Sequence, residues 1–403
     1  MNKRTRILFV AEAVTLAHVV RPHTLAQSLD ASLYEVHFAQ APLYRHLLDD
    51  ACFQQHDITS ISPATFMARL DRGEALYDLT TLQAYVEEDR RLIAAVQPDI
   101  VVGDFRLSLA TSAELEGVPY VTVSNACWSP FALQRFPVPE LPISRLLGPT
   151  LGQWLFSLAR PLAFALHCLP MHRLRRSHGL HSLGFDLRKV YTHADVTLYA
   201  DLPSLYNMQP LPAHHHFIGP VNWSPAVPLP GWWQDIPAEK PVVYVTLGSS
   251  GQVALLPEVL AALEQLPVTA LVSTAGAEMP QPVPDNVFWD SYLPGKEAVK
   301  VASLVVCNGG SPTTHQALAG GVPVIGIAGN LDQYLNMATL QRAAAGVLLR
   351  AGTCRADRLA AVMKRVLAEP AYRETAQDLA ESLGNLGQKH EFNRIINEMR
   401  IES

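Results

Sequence analysis

Short apolar runs with strand-like composition alternate with helical segments along most of this 403-residue chain. The first series has strand candidates at residues 6–11, 34–39, 99–104, 120–124 and 195–200. Helical patterns lie between them at residues 19–29, 82–96 and 108–116. Strands that alternate with helices favour parallel βαβ units, so the pattern predicts an α/β fold with a doubly wound sheet.

A second alternating series follows a proline-rich stretch. Its strand candidates are residues 242–247, 268–273, 287–289, 304–307 and 323–327. Residues 219–241 are typical of a linker whose prolines limit flexibility. We therefore predict a first domain at 1–218 and a second at 242–403, whose last helix packs back on the first. Residues 130–182, with frequent prolines between apolar helical segments, are predicted to be a helical insertion in the first domain.

The charge of the chain argues against nucleic-acid binding. Its formal net charge is −6 and its pI is about 6.2, whereas a nucleic-acid binder normally carries a basic footprint. A basic cluster spans His172 to Arg176, with Arg188 and Lys189 further on. This cluster fits either a solvated helix face or contact with an anionic membrane surface.

The five cysteines are odd in number and form no C-x-x-C pair, which favours reduced thiols in a cytoplasmic protein. Cys307, at the end of an apolar run, is predicted to be a buried, inert thiol. The apolar run near residue 7 is too short for a secretion signal, and no run of about 20 apolar residues predicts a membrane span. His214-His215-His216 is expected to be an exposed loop, because consecutive side chains diverge and cannot share a metal ion.

The most informative segment is residues 304–336, in which an apolar run ends at Cys307 and a tight turn follows. Pro312 is predicted to open a helix after this turn. Glycines in the turn let the backbone approach a ligand closely. Because the first turn of a helix leaves its N–H groups free and its dipole favours an anion, the segment predicts a diphosphate cradle.

The wider pattern resembles the nucleotide-sugar signature of glycosyltransferase family 1, which includes UDP-glycosyltransferases and macrolide glycosyltransferases. The matching residues, in the family order, are Asn308-Gly309-Gly310, Gln316, Gly321-Val322-Pro323 and Asp332-Gln333. Upstream, Tyr292-Leu293-Pro294 resembles the family's aromatic-x-Pro entry to the donor site. Gly248-Ser249 resembles its first phosphate-side loop.

The resemblance implies a role for each of these positions. Tyr292 would stack on the base, the Leu293 backbone would hydrogen-bond the base edge, and Gln316 would reach the ribose. The donor phosphates would contact Gly248, Ser249, Asn308, Gly309, Gly310, Ser311 and Thr313. Asp332 and Gln333 would hold the sugar hydroxyls, although Asp332 also fits a helix N-cap.

Three positions depart from the common family pattern. Asn308 stands where many members have His, Pro312 where Gly or Asn is usual, and Gln316 where Glu often meets the ribose. These residues keep hydrogen-bonding capacity and reduce formal charge, so they leave the nucleotide and the sugar open.

The opening motif points to a catalytic base. His18 precedes a helix that carries Pro22 four residues later, and this spacing resembles the family's first motif, with Ala17 in place of the usual Gly. Imidazole titrates near neutral pH and can take the proton of an acceptor hydroxyl. A carboxylate behind it would fix its tautomer, and Asp104, at the end of a predicted strand, is the candidate. Glu12 and Asp99 fit less well.

The resemblance covers nearly the whole chain and implies the GT-B architecture, with two doubly wound Rossmann-like domains facing a central cleft. It implies an inverting hexosyltransferase that moves a hexose or deoxyhexose from a UDP- or dTDP-sugar to a hydroxyl of a small, largely apolar natural product or lipid. We expect no cofactor besides this nucleotide sugar and no metal, since no cluster has metal-ligand spacing.

The acceptor site is expected in the first domain, with Trp128, Phe131 and Phe136 as candidate contacts, although each ring fits plain core packing equally well. Two other functions stay open. One is a GT-B sugar-nucleotide epimerase or hydrolase that acts without an acceptor. The other is a non-catalytic nucleotide-sugar-binding partner protein.

Overall fold

The computed structural model describes residues 4–48, 52–248, 253–385 and 388–402, which form two compact units. Unit 1 comprises Met1–Arg135, Trp154–Val221 and Gly387–Ser403, and unit 2 comprises Phe136–Gln153 and Asn222–Leu386. The predicted division differs, since it placed all of residues 130–182 in the first domain.

The segment Phe136–Gln153 belongs to unit 2 because it is tied there by a buried carboxylate. Glu140 pairs with the Arg350 guanidinium at 2.8 Å and accepts a hydrogen bond of 2.7 Å from the Tyr334 hydroxyl. Arg350 also donates to the carbonyl of Val138 at 3.0 Å.

Unit 1 contains a seven-stranded parallel sheet with the order β3-β2-β1-β4-β5-β6-β7. Its strands are β1 (Thr5–Ala11), β2 (Tyr34–Gln40), β3 (Gln54–Asp57), β4 (Ile100–Asp104), β5 (Tyr120–Ser124), β6 (Val196–Tyr199) and β7 (His215–Phe217). The central strands β1, β4 and β5 are almost wholly buried. Parallel sheets are covered by helices on both faces, which is why these strands are continuous apolar runs in the sequence.

The helices of the first part of the chain are α1 (Ala17–Ala26), α2 (Pro63–Arg72), α3 (Leu79–Val96), α4 (Leu109–Glu116), α5 (Pro142–Ser177) and α6 (Leu187–Tyr191). The side chains of Ser62 and Asp78 cap α2 and α3 by accepting backbone N–H bonds. The sequence did not predict α2, α6, β3 or β7. Strand β7 contains His215 and His216, so the expectation of an exposed loop at the three histidines is wrong.

Helix α5 is one long helix where the sequence predicted separate, shorter helical segments in the insertion at residues 130–182. It runs for 36 residues and is interrupted only at Gly148, whose φ of 74° lies outside the helical region. In the part of the chain that the structure describes, α5 is the one helix that is long enough and apolar enough to cross a membrane, judged by length and composition alone. This finding differs from the expectation of no candidate span, and only 11% of its most apolar 18-residue window is buried.

Unit 2 contains a six-stranded parallel sheet with the order β10-β9-β8-β11-β12-β13. Its strands are β8 (Val242–Thr246), β9 (Thr269–Ser273), β10 (Val287–Asp290), β11 (Leu304–Cys307), β12 (Val324–Ala328) and β13 (Gly346–Arg350). Its helices are α7 (Leu256–Glu264), α8 (Gly295–Val301), α9 (Ser311–Ala319), α10 (Leu331–Arg342), α11 (Ala356–Ala368) and α12 (Pro370–Asn385).

The last helix, α13 (Gln388–Glu402), packs against unit 1. Phe392, Ile395 and Ile396 are buried in the same apolar cluster as strands β1 and β2. Asn393 exchanges hydrogen bonds with Ser28, at 3.1 Å to the hydroxyl and 3.0 Å to the carbonyl. The last helix therefore completes the core of unit 1.

Candidate functional site

Both sheets share one topological feature that positions functional groups. In unit 1 the central neighbours are β1 and β4, and in unit 2 they are β8 and β11. At each pair the strand order changes direction along the chain. Ligands of open α/β sheets bind beside the carboxyl ends of strands at such a switch point.

His18 and Asp104 meet at the switch point of unit 1. Asp104 ends β4, and His18 is the second residue of α1, which follows β1. The Nδ1 atom of His18 lies 2.8 Å from Oδ1 of Asp104. Because an ionised carboxylate only accepts hydrogen bonds, this contact assigns the proton of the neutral imidazole to Nδ1 and leaves Nε2 as a proton acceptor.

Arg21 is a third member of this group, and the sequence analysis missed it. Its Nε atom donates to Oδ2 of Asp104 at 2.6 Å, and its Nη2 atom donates to Oδ1 at 2.7 Å. Its Nη1 atom donates to Oδ1 of Asn125 at 2.8 Å. The guanidinium thus clamps the carboxylate in a two-pronged contact that also fixes the orientation of His18. Arg21 lies three residues after His18 on the same helix, and residues three apart share one face, so this spacing could have indicated the contact.

The carboxylate of Asp104 is kept ionised inside the protein. Its side chain is completely buried, and burial alone would raise the pKa of the carboxyl. The charge of Arg21 and hydrogen bonds from Arg21 and His18 outweigh burial, so the pKa of Asp104 lies below its ordinary value. His18 is more accessible, with 19% of its side chain exposed. The arrangement therefore combines a fixed anion with an imidazole that solvent or a ligand can reach.

Phe105 shapes the side of this site. It follows Asp104 with a φ of 59°, an unusual left-handed conformation for a bulky residue. This backbone places its ring against the imidazole of His18, with ring centroids 4.6 Å apart and planes inclined by 14°. The contact holds the imidazole between a flat apolar wall and the carboxylate.

Aromatic side chains extend from Phe105 within unit 1. Tyr191 contacts Phe105 edge-on at 5.4 Å, and Trp128 contacts Tyr191 at 5.0 Å. A small cavity beside them is lined by residues that include Tyr77, His167, Met171 and Tyr191. Trp128, a predicted acceptor contact, is therefore two rings away from His18.

The other two predicted acceptor contacts lie elsewhere. Phe131 packs edge-on against His215 of β7, at a centroid distance of 5.3 Å. Phe136 is only 7% exposed and belongs to unit 2, not to the first domain as predicted. The segment that contains Phe136 is held by Glu140. The backbone carbonyl of Phe136 accepts a hydrogen bond of 3.0 Å from Gln153.

The two alternative acids have structural partners. The Glu12 carboxylate is buried, pairs with Arg106 at 3.0 Å and accepts a 3.0 Å hydrogen bond from Tyr85. Asp99 accepts a 2.7 Å hydrogen bond from the backbone N–H of Arg6, which links the start of β4 to β1. Neither contact involves His18, so Asp104 is the acid that this geometry selects.

The predicted diphosphate cradle of unit 2 is a turn that connects β11 to α9. Oδ1 of Asn308 accepts a 3.0 Å hydrogen bond from the N–H of Gly310, and the carbonyl of Gly309 accepts one of 2.8 Å from Asn336. The helix begins at Ser311, so Pro312 is its second residue rather than its first. The first-turn N–H groups of Ser311 and Thr313 point out of the helix end and favour an anion.

Two glycines of this cradle occupy positions where a side chain would interfere. Gly309 has a φ of 83°, and an added Cβ would lie 2.6 Å from Cγ of Met337. Gly248, with a φ of 66°, lies against Asn308, whose Nδ2 would be 3.3 Å from an added Cβ. The β8–β11 pairing thus brings together two loops that were predicted from separate motifs. Ser249 lies outside the described residues.

The predicted base and ribose contacts, Tyr292, Leu293 and Gln316, also lie in unit 2. Tyr292 is half-buried and its hydroxyl lies 3.2 Å from the Cβ position of Gly276, while Leu293 is 2% exposed. Nε2 of Gln316 donates to the carbonyl of Trp223 at 3.1 Å. Its Oε1 lies against Gly295, where a Cβ would approach to 2.5 Å.

Asp332 and Gln333 lie in the first turn of α10. The N-cap of this helix is Asn330, which with Gln333 forms a capping box, so the interpretation of Asp332 as the N-cap is wrong. Gln333 is 4% exposed, and its Oε1 accepts from the N–H of Gly329 at 2.9 Å. Asp332, in contrast, remains partly exposed.

Cys307 behaves as predicted from its position. Its thiol is completely buried and accepts a 3.3 Å contact from the N–H of Gly309. Burial raises the pKa of this thiol to about 12, so it stays protonated at neutral pH.

In the described part of the chain, no group of three or more His, Cys, Asp or Glu side chains could hold a metal ion.

The chain is similar to known proteins over most of its length. Residues 255–399 match the family model of the erythromycin biosynthesis protein CIII-like C-terminal domain. Over 382 residues, the chain is 51% identical to the PGL/p-HBAD biosynthesis rhamnosyltransferase of Mycobacterium bovis (strain BCG / Pasteur 1173P2), covering 95% of this chain and 85% of the relative. It is 50% identical to a PGL/p-HBAD biosynthesis glycosyltransferase of Mycobacterium tuberculosis (strain ATCC 25177 / H37Ra), covering 95% and 89%.

A solved structure has the same fold. The glycosyltransferase SsfS6 of Streptomyces sp. SF2575, complexed with thymidine diphosphate, superposes with a TM-score of 0.69 over 98% of this chain and all of that chain. The sequence identity is 18%, so this likeness concerns the fold.

Proposed function

The chain belongs to glycosyltransferase family 1 and has the GT-B fold, and from this premise we propose that it transfers a deoxyhexose, with rhamnose as the first candidate, from dTDP to a hydroxyl of a lipid-like acceptor. The relatives are named for rhamnosyl or glycosyl transfer in PGL/p-HBAD biosynthesis, which supports this sugar and a glycolipid product. The observation that carries the mechanism is the 2.8 Å contact between His18 and Asp104.

In the proposed reaction, His18 is the general base. The acceptor oxygen attacks the anomeric carbon of the sugar, and the bond from that carbon to the diphosphate oxygen breaks with its electron pair. The acceptor proton moves to Nε2 of His18, and Asp104 stabilises the imidazolium that forms. A single displacement of this kind inverts the anomeric configuration.

The donor half of the proposal rests on unit 2. The turn from Asn308 to Gly310 and the first turn of α9 offer neutral hydrogen-bond donors and a helix dipole to the leaving diphosphate. Asp332 is proposed to bind a sugar hydroxyl because its side chain is partly exposed on α10, the helix whose Asn336 donates to the Gly309 carbonyl of this turn. Since these groups supply the stabilisation, we propose that transfer needs no metal ion. A solved GT-B relative holds thymidine diphosphate, which makes dTDP the first nucleotide to test.

The acceptor half rests on the aromatic groups beside His18. Phe105, Tyr191 and Trp128 form an apolar surface next to the imidazole, and it suits a phenolic or alkyl acceptor. Trp128 is therefore kept as a proposed acceptor contact, whereas Phe136 is omitted because its ring is buried in unit 2.

The test is a transfer assay with purified protein. dTDP-rhamnose and UDP-glucose are each offered with a panel of alkylated phenols and fatty alcohols, with and without EDTA, and products are identified by mass and by the anomeric configuration. We expect transfer from dTDP-rhamnose, unaffected by EDTA, with inversion. Donor consumed equally fast without acceptor would instead indicate a hydrolase or epimerase. A retained configuration or loss of turnover with EDTA would overturn the mechanism.

A matched pair of histidine variants tests the base. His18→Ala should lower kcat by about 10²-fold or more, the usual contribution of a general base, and leave dTDP affinity unchanged. His46→Ala removes an exposed imidazole of the same unit and should leave both quantities unchanged. Full turnover by His18→Ala would refute its assignment.

A further inference from the structure

Helix α5 carries an apolar stripe that faces solvent in unit 1. Its residues are Trp154, Leu158, Leu162 and Leu166, which are 64%, 70%, 67% and 52% exposed. They recur every four residues and so lie along one face of the helix. Monomeric soluble proteins rarely expose a contiguous apolar surface of this kind without a binding function.

The turns of the same helix that follow the stripe are packed against unit 1. Cys168, Met171 and Leu174 are buried in the cluster that includes α3 and α6. The ring nitrogen Nε2 of His167 lies 3.0 Å from the carbonyl of Gly73. The helix is therefore anchored to unit 1 by the turns that directly follow the stripe.

The charged residues of the helix and of the segment that follows it have one sign. Residues 141–185 contain five arginines and no acidic residue, although the whole chain has a net charge of −6. Arg173 and Arg176 are exposed on the helix turns that follow Leu166. Arg175 is buried and is neutralised by Glu114 at 2.7 Å. The exposed cations therefore stand beside the apolar stripe without acidic neighbours in that stretch.

We propose that this stripe, together with Arg173 and Arg176, docks the enzyme on the surface of an anionic lipid bilayer. A helix with Trp and Leu on one face and only basic charges of its own has the composition of an interfacial membrane helix. A protein partner normally meets a polar rim around an apolar centre, whereas the charged side chains that residues 141–185 supply are all basic.

The helix lies on the bilayer rather than spanning it. A span requires about 20 residues that are apolar on all sides. Crossing would remove Cys168 and Leu174 from their buried positions and would break the ion pair of buried Arg175 with Glu114. The stripe alone enters the interface, to the depth that an amphipathic helix reaches. This inference does not depend on the proposed glycosyl transfer, and it would place a lipid acceptor within reach of the enzyme.

Flotation of the full chain with vesicles tests the docking. We expect binding to phosphatidylcholine vesicles that contain phosphatidylglycerol, weaker binding to phosphatidylcholine alone, and loss of binding at high salt. Leu158→Ser/Leu162→Ser should reduce binding about tenfold or more, because two alkyl side chains that would enter the bilayer are lost. The control Leu43→Ser/Ile401→Ser removes two exposed apolar side chains outside the stripe and should bind as the wild type does.

A second variant tests the charges and covers the case in which the serine pair does not fold. Arg173→Glu/Arg176→Glu should abolish the preference for anionic vesicles, whereas Arg358→Glu/Lys364→Glu, an equal change of charge on α11, should not. No vesicle binding by the wild type, or binding that both variants retain, would overturn the proposal. A dimer in sedimentation velocity that Leu158→Ser/Leu162→Ser dissociates, without vesicle binding, would assign the stripe to a second copy of the chain and would also overturn it.

Discussion

Asp104 and Arg21 act on His18 in opposite directions when the imidazole gains a proton. Oδ1 of Asp104 lies 2.8 Å from Nδ1 of His18, and Nη2 of Arg21 lies 3.5 Å from the same atom. With an effective dielectric constant of about 20, Coulomb's law gives about 6 kcal/mol of attraction and about 5 kcal/mol of repulsion. The carboxylate is therefore needed largely to offset the neighbouring guanidinium.

This balance predicts an unusual pattern of variants. Asp104→Asn should lower kcat/KM by about 10³-fold or more, because the repulsion by Arg21 remains and the amide can donate to Nδ1 and hold the wrong tautomer. Adding Arg21→Met removes the repulsion and frees the amide oxygen to accept from Nδ1. The double variant should therefore be about tenfold more active than Asp104→Asn alone.

The assay is kcat/KM for transfer at saturating donor, with dTDP titration as the check that each variant keeps a folded donor site. In the His18→Ala background, Arg21→Met should give no gain, since no imidazole remains to be protonated. If the double variant is as slow as Asp104→Asn or slower, Arg21 only supports the structure and the reasoning about opposing charges is wrong.

Three further predictions concern other groups of the structure. Gly309→Ala should weaken dTDP binding about tenfold, because a left-handed alanine costs about 1–2 kcal/mol, whereas Gly231→Ala, with nothing within 4 Å of its Cβ, should bind normally in the same titration. The pKa of Asp104 is lower in the folded protein than in the unfolded chain. The ionised carboxylate therefore stabilises the fold fully above the unfolded pKa of about 4, and this stabilisation is lost as the pH falls through the folded pKa. The difference in Tm between wild type and Asp104→Asn should narrow from pH 6 to pH 3, and a constant difference would contradict this prediction. Because burial raises the pKa of Cys307 to about 12, iodoacetamide at pH 8 should label exposed Cys52 and spare Cys307 in the folded protein, as peptide mass mapping would show.

The sequence was sufficient for elements whose pattern is local. Strands β5 and β11 have the predicted bounds, Tyr120–Ser124 and Leu304–Cys307, because buried parallel strands are continuous apolar runs between turn residues. Strand β3, with the sequence Gln-Gln-His-Asp, was missed because it lies at the sheet edge and has no apolar periodicity.

Only part of the candidate site could be predicted from the sequence. The glycine-rich turn after β11 and the histidine after β1 each have a local motif, so their positions could be predicted. The partnership of Arg21 with Asp104 could not, because the two residues are 83 positions apart and meet only through the pairing of β1 with β4. The membership of residues 136–153 in unit 2 likewise depends on a buried carboxylate, Glu140, whose partners lie far along the chain.

Helix α5 separates the two kinds of information most clearly. The sequence by itself indicated an apolar insertion at residues 130–182 with helical segments and a basic cluster. It could not determine which leucines are buried, since Leu158 and Leu174 have the same side chain and both belong to this insertion. The tertiary structure buries Leu174 completely and leaves Leu158 70% exposed, because unit 1 supplies a packing partner for only one face of the helix.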